Sequence, residues 1–170
     1  MRVLFHFDAS DRLATALAAR PPDGIAIGIV PEADAAGFDA ALPGADILWH
    51  VLRPVSAAHI ARAPRLKLIQ KIGVGINTID VAAAQAQGIA VCNMPGVNSQ
   101  AVAEMTLLLM LGCLRQWPAL QQLAANAQSW EMPRELQGRV GEIAGRTVGF
   151  VGFGGVPSRL APALAALGAR

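Results

Sequence analysis

Four things are scarce in this sequence, and each scarcity removes a class of function. Charge is the first. Only 15% of the 170 residues are charged, the formal net charge is +2, and no run of Lys or Arg occurs. A nucleic-acid binder needs a basic stripe to neutralise phosphates, so no nucleic-acid partner is expected. Cysteine is the second. Cys92 and Cys113 stand alone, at a spacing that fits no metal or redox motif, so no metal site is expected and a reducing compartment is. Long apolar runs are the third. The longest, Met105 to Leu114, falls far short of the ~20 residues of a membrane helix, so no membrane partner is expected. The N-terminus, Met1 to Asp8, is too short for a secretory signal and carries Asp8; it reads as a strand, and the expected location is cytoplasmic. The fourth is repetition: there is no internal repeat and no low-complexity tract.

What is present is a hydrophobic chain, 54% apolar, cut into short runs. Val3–Phe7, Ile25–Val30, Ala45–Leu52, Leu66–Ile72 and Ile89–Asn93 read as strands. Between them, helical patterns start after Asp8–Ser10, at Ser56 and at Thr78, and Gly88 closes the last. Pro31 to Pro43 is looser, with Phe38 and Leu42 as anchors. Strands alternating with helices predict an α/β fold with a parallel sheet covered on both faces.

Met94-Pro95-Gly96 marks a boundary. Beyond it, Ser99 to Arg115 is the longest helical pattern and is apolar almost all round, which predicts burial on several sides. Trp117-Pro118 breaks it, Ala119 to Gln128 is a further helix, and Trp130 to Gly145 reads as an irregular arm. Thr147 to Val151 suits a buried strand. Gly152, Gly154 and Gly155 then force a turn, and Ser158 to Leu167 reads as a helix closed by Gly168.

Three places invite chemistry. Gly73 to Asp80 follows a strand and precedes a helix, and its glycines expose amides suited to a carboxylate; an ordinary strand-to-helix loop is the alternative. Asn77 and Asp80 read as helix-start residues. Asn98 either caps the long helix or donates its amide to a bound oxygen, and Glu104 reads as a structural carboxylate. The glycine turn at 152–155 is the opening of a dinucleotide-binding unit, whose pyrophosphate sits at a helix N-terminus. Pro157 occupies the place of the third glycine of G-x-G-x-x-G, which removes one phosphate donor. His6, His50 and His59 have no carboxylate or cysteine at triad or metal spacing and read as structural or solvated.

Taken in order, Lys71-Ile-Gly-Val-Gly-Ile-Asn-Thr-Ile-Asp80, Gly88-Ile-Ala-Val-Cys-Asn-Met-Pro-Gly-Val-Asn98, Ala101-Val-Ala-Glu104 and Ile143-Ala-Gly-Arg-Thr-Val-Gly-Phe-Val-Gly-Phe-Gly155 resemble the NAD-dependent D-2-hydroxyacid dehydrogenase family. The resemblance is carried by residues from about Leu66 to Arg170. It implies a flavodoxin-like substrate domain over residues 1–95, then an interdomain helix, an arm and the first βα unit of a Rossmann NAD-binding domain over 96–170. Carried over by position, Val74, Gly75 and Asn98 bind substrate. Val74, Thr106, Gly152, Phe153, Gly154, Gly155 and Val156 bind the cofactor, NAD or NADP. The implied reaction is hydride transfer between a 2-hydroxy or 2-oxo acid and nicotinamide, in a homodimer. The implied arginine, acidic residue and histidine of catalysis fall beyond Arg170, so none is expected within this chain. The alternative reading is a non-catalytic binding or dimerisation module of the same descent.

Overall fold

The computed structural model describes residues 1–19, 21–128 and 132–170. Trp130, the start of the expected arm, lies outside the described residues. The chain divides into two units, Met1–Pro95 and Gly96–Arg170.

The first unit is a parallel sheet wrapped by helices. Its elements are β1 (Arg2–His6), α1 (Asp11–Ala19), β2 (Ala26–Val30), α2 (Ala35–Ala41), β3 (Ile47–His50), α3 (Ala57–Ala61), β4 (Leu68–Lys71), α4 (Val81–Ala86) and β5 (Ala90–Cys92), with a 3₁₀ turn at Leu42–Gly44. All the strand pairs are parallel, and the order is β2-β1-β3-β4-β5. That is the flavodoxin-like order, which reverses between β1 and β3. Val3, Leu4, Phe5 and His6 of β1 are all buried, as a central strand requires. Leu4, Leu48 and Ile69 lie in a core that also takes Phe38, Leu42, Val55 and Ile60.

Short side chains fix the helix starts. Asp34 accepts from the N–H of Gly37 at 2.8 Å, which starts α2 in a stretch the sequence left as loose chain. Ser56 and His59 form a reciprocal cap on α3. Asp80 accepts from the N–H of Ala83 at 2.9 Å. The helix expected from Thr78 therefore begins only at Val81. Thr78 and Ile79 are held instead by main-chain bonds to Val55: Val55 N–H donates to Thr78 at 2.8 Å, and Asp80 N–H donates back at 2.9 Å.

The second unit contains α5 (Ser99–Leu114), α6 (Trp117–Ala125), α7 (Arg134–Gln137) and α8 (Gly155–Ala166). Ala103 of α5, Ile143, Leu160 and Leu164 form its core. Three expectations need correction here. Thr147–Val151 is neither buried nor in a ladder: only Val148 and Phe150 pack against the core, and Val151 is fully exposed. Among the described residues its main-chain pairing is with the segment after α8, where Val148 N–H donates to the Arg170 carbonyl and Arg170 N–H donates to the carbonyl of the adjoining Arg146, each at 2.8 Å. A strand buried on both faces needs flanking strands as well as helices, and the described residues supply no flanking strand here. Next, α8 begins at Gly155 rather than Ser158, because Gly154 already serves as its N-cap and Pro157 is tolerated in the first turn. Finally, α5 is not buried on several sides: Met105, Leu108 and Leu109 are more than half exposed within this chain.

Trp117-Pro118 does end α5, through Gln116 at φ 53°, but it also starts α6, with Pro118 in the first turn. The arm contains the short α7, anchored by buried Leu136.

Candidate functional site

Ligands of an open parallel sheet sit beyond the carboxyl ends of its strands. Two groups of main-chain amides lie there in the first unit, and they differ in one decisive respect. After β3, the N–H groups of Leu52 and Arg53 both donate to Oε1 of Glu32, at 2.9 and 3.1 Å. The backbone carbonyl of Glu32 accepts from the Arg53 guanidinium, and Asp8 accepts from Glu32 N–H at 3.1 Å. This bend is filled by the protein's own carboxylate.

After β4 the situation is reversed. Among the described residues, no protein group accepts from the N–H of Val74 or Gly75. Gly73 makes the bend possible with φ 151°, a conformation L side chains rarely adopt. Two bonds fix it from behind: Met94 N–H donates to the Gly73 carbonyl at 2.9 Å, and Asn93 Nδ2 donates to the Val74 carbonyl at 2.8 Å. With the carbonyls held, these two N–H groups are left without a protein acceptor among the described residues. Asn77 is exposed in this loop and its Oδ1 crowds Gly75, whereas Asp80 caps α4.

Buried groups support these loops. His6, His50 and Lys71 end β1, β3 and β4 in matching register, and all three are buried. Lys71 Nζ donates to the Val51 carbonyl, and His50 Nε2 meets the Arg53 carbonyl at 2.7 Å and Thr78 Oγ1 at 3.4 Å. Burial pushes the pKa of His6, His50 and Lys71 below their ordinary values. This cluster was not anticipated from the sequence; its signal is that each of the three strand runs ends on a cationic or titratable residue. His59 is tied to Ser56, so among the described residues no histidine is paired with a carboxylate.

In the second unit, Asn98 holds the N-cap position of α5, but its side chain makes no capping bond. The expected cap is thus not formed, and the exposed amide remains available. Glu104 accepts from Gln100 Nε2 at 2.8 Å. Thr106 donates its hydroxyl to the Val102 carbonyl at 2.7 Å and lines an open groove of about 560 Å³ with Leu109, Met110, Cys113 and residues 146–149.

The glycine turn leads from Val151 into α8. Gly152 takes φ 85°, and space is open where Cβ atoms at Gly152 and Gly154 would stand. At Gly155 a Cβ would come within 2.9 Å of Ser99 Oγ, so a side chain there would require the Ser99 hydroxyl to turn away. The first-turn N–H groups of Gly155 and Val156 are unpaired among the described residues, and Pro157 has none to offer. Phe153 is exposed beside the turn and packs edge-on against Phe150. The turn therefore fits a pyrophosphate, with one donor fewer than a third glycine would give. Among the described residues, no group of three or more His, Cys, Asp or Glu is placed to hold a metal ion, and no helix is long and apolar enough to cross a membrane.

Comparison with known proteins gives these features their context. The family described as D-isomer specific 2-hydroxyacid dehydrogenase, catalytic domain, matches residues 12–161. The D-3-phosphoglycerate dehydrogenase of Mycobacterium tuberculosis is 36% identical over 161 residues, covering 94% of this chain and 30% of that protein. The hydroxypyruvate reductase of Thermotoga maritima is 35% identical over 130 residues, covering 75% of this chain and 40% of that protein. The chain thus spans about a third of the length of such relatives. The fold is similar to part of that of the NAD-dependent formate dehydrogenase of Staphylococcus aureus, solved in complex with NAD, with a TM-score of 0.87 at 22% identity over 99% of this chain and 54% of that one. By sequence, the chain belongs to the D-isomer specific 2-hydroxyacid dehydrogenase family.

Proposed function

We propose that this chain carries the acid-binding bend and the dinucleotide-binding turn of an NAD-dependent oxidoreductase acting on the CH–OH group of a D-2-hydroxy acid. The observation that supports this best is the pair of unspent amides at Val74 and Gly75, beyond β4 and fixed from behind by Asn93 and Met94. In this reading the two N–H groups hold the substrate carboxylate, and Asn98 contributes a side-chain amide to the substrate. Residues 1–95 are the substrate domain, and 96–170 comprise the interdomain helix, the arm and the first βα unit of the cofactor domain.

The cofactor is NAD, with NADP as the variant. In this reading Gly152, Phe153, Gly154, Gly155 and Val156 would hold its pyrophosphate, and Val74 and Thr106 are assigned to its nicotinamide. When bound, that group gives a hydride to C2 of the oxo acid or takes one from the hydroxy acid. The residues of this chain bind and orient. None of its histidines, buried or capped as they are, serves as the proton carrier, which this reading assigns to a histidine outside residues 1–170. The proposed location is cytoplasmic.

The direct test has two arms. Saturable quenching of Trp117 fluorescence by NADH is expected, as is saturable binding of glyoxylate, pyruvate or hydroxypyruvate. The second arm is NADH oxidation with those acids by the full-length protein encoded by the gene; a flat trace there contradicts the enzyme reading. A second reading, a non-catalytic dimerisation module, is favoured by the exposed Met105, Leu108 and Leu109 of α5. It predicts self-association with no nucleotide affinity.

A further inference from the structure

The segment after β3 and the segment after β4 are tied together, and the knot is a buried imidazole. His50 is fully buried. Its Nε2 lies 2.7 Å from the Arg53 carbonyl, which can only accept, so the proton sits on Nε2. Thr78 Oγ1 lies 3.4 Å from the same nitrogen. His50 thus touches both segments, which also bond each other through Val55, Thr78 and Asp80. Its other nitrogen, Nδ1, is buried and has no hydrogen-bond partner among the described residues.

We propose that neutral His50 is a positioning residue: it joins residues 51–55 to residues 76–80, so holding the Val74–Gly75 bend in place, and its protonation releases both segments together.

A proton on Nδ1 would bring a second cation into a buried site with no acceptor waiting. Apart from the Arg53 carbonyl, which favours the charged ring, the neighbouring groups oppose the charge or are already committed. Lys71 on β4 and Arg53 on the loop are cationic, and His6 on β1 is a further titratable base. Glu32 is the one carboxylate acting on His50, and its Oε1 already accepts from Leu52 and Arg53. From α2 and α3, Asp39 and His59 line the adjoining cavity with His6 and Arg53; Asp39 is paired with Arg62 at 2.7 Å, and His59 with Ser56. α4 contributes no titratable group. The Arg53 carbonyl still accepts from Nε2 of a charged ring, but Nδ1–H has no acceptor where it is buried, so the charge is relieved only when the segments that cover it open and Nδ1 reaches water.

The sign follows from burial. His50 is held below the ordinary value of 6.5, so an opened state binds the proton first. Protection is complete above 6.5 and falls below it, by up to about tenfold per pH unit until the folded-state value is reached. The test is amide hydrogen exchange on the 170-residue chain between pH 8 and 5, corrected for intrinsic rates, read at Leu52, Arg53, Val55 and Asp80. Wild type should lose protection at Val55 and Asp80 in parallel below pH 6.5. His50→Gln keeps an amide donor but cannot titrate; it should hold protection and flatten the slope, whereas His50→Leu should lose protection at every pH. A flat wild-type profile, a slope that survives in His50→Gln, or separate midpoints for Val55 and Asp80 would overturn the proposal. Should the variants not fold, the ring ¹⁵N titration of wild-type His50 decides: its midpoint must lie below 6.5, at the pH where the loss of protection levels off. The holding of an acid at the bend rests on the function proposed above. Absence of glyoxylate binding at any pH would count against that function alone, because the exchange profile reports the coupling without it.

Discussion

At the residue scale, two glycines and a proline decide what the bends can do. Gly73 lies at φ 151° and Gly152 at φ 85°, so any side chain there is strained. Gly73→Ala should cost about 1–2 kcal/mol in urea unfolding and abolish acid binding, since relieving the strain at residue 73 would displace the Val74 and Gly75 amides. Pro157 lacks the N–H that a glycine would offer. Pro157→Gly should tighten NADH binding about tenfold, the equivalent of one charge-assisted hydrogen bond near 1.5 kcal/mol; fluorescence titration measures it. Asp46 makes a different prediction. It accepts from Arg2 N–H at 2.8 Å and from Arg65 at 3.1 Å, and these bonds hold its carboxyl below the ordinary 3.8. Its contribution is present above pH 3.8 and lost as pH falls through the folded-state value. Asp46→Asn should therefore melt lower than wild type at pH 7, with the gap closing below pH 3.8.

At the element scale, the sequence was legible wherever local signals decide the outcome. The five strands of the first unit, each a β-branched or aromatic run between helical patterns, could be read in order, and Asp80 could be read as a helix start. Leu48 sits at the centre of this sheet with no exposure, and Leu48→Ala should cost about 2–5 kcal/mol in the same urea assay. What could not be read depends on distant partners. α2 hides in an alanine- and glycine-rich stretch with no helical face, and only Asp34 and the burial of Phe38 give it away. Thr147–Val151 has strand composition but no ladder, because composition cannot reveal how many neighbours a strand has. The Glu32, His50 and Lys71 network was illegible for the same reason: it joins residues brought together only by strand register. α5 carries exposed Met105, Leu108 and Leu109, an apolar face of the kind proteins cover by association. If it forms the proposed homodimer, the chain should sediment as a dimer and Leu108→Glu with Leu109→Glu as a monomer; a monomeric wild type would contradict that assignment.

At the scale of the whole molecule, each unit brings one set of unspent amides. The first offers Val74 and Gly75 at the end of β4, and the second offers Gly155 and Val156 at the start of α8. The bend after β3 makes a useful contrast, since Glu32 already occupies its amides and leaves nothing for a ligand. Family membership follows from the sequence match over residues 12–161, but the use of each bend is a matter of chemistry that amide signals report directly. The decisive measurement is an amide NMR titration of the ¹⁵N-labelled chain, first with glyoxylate and then with NADH. Glyoxylate should shift Val74 and Gly75 and leave Leu52 and Arg53 in place, while NADH should shift Gly152 to Val156. Saturating ligand that moves neither group, or that moves only residues elsewhere, would contradict the account.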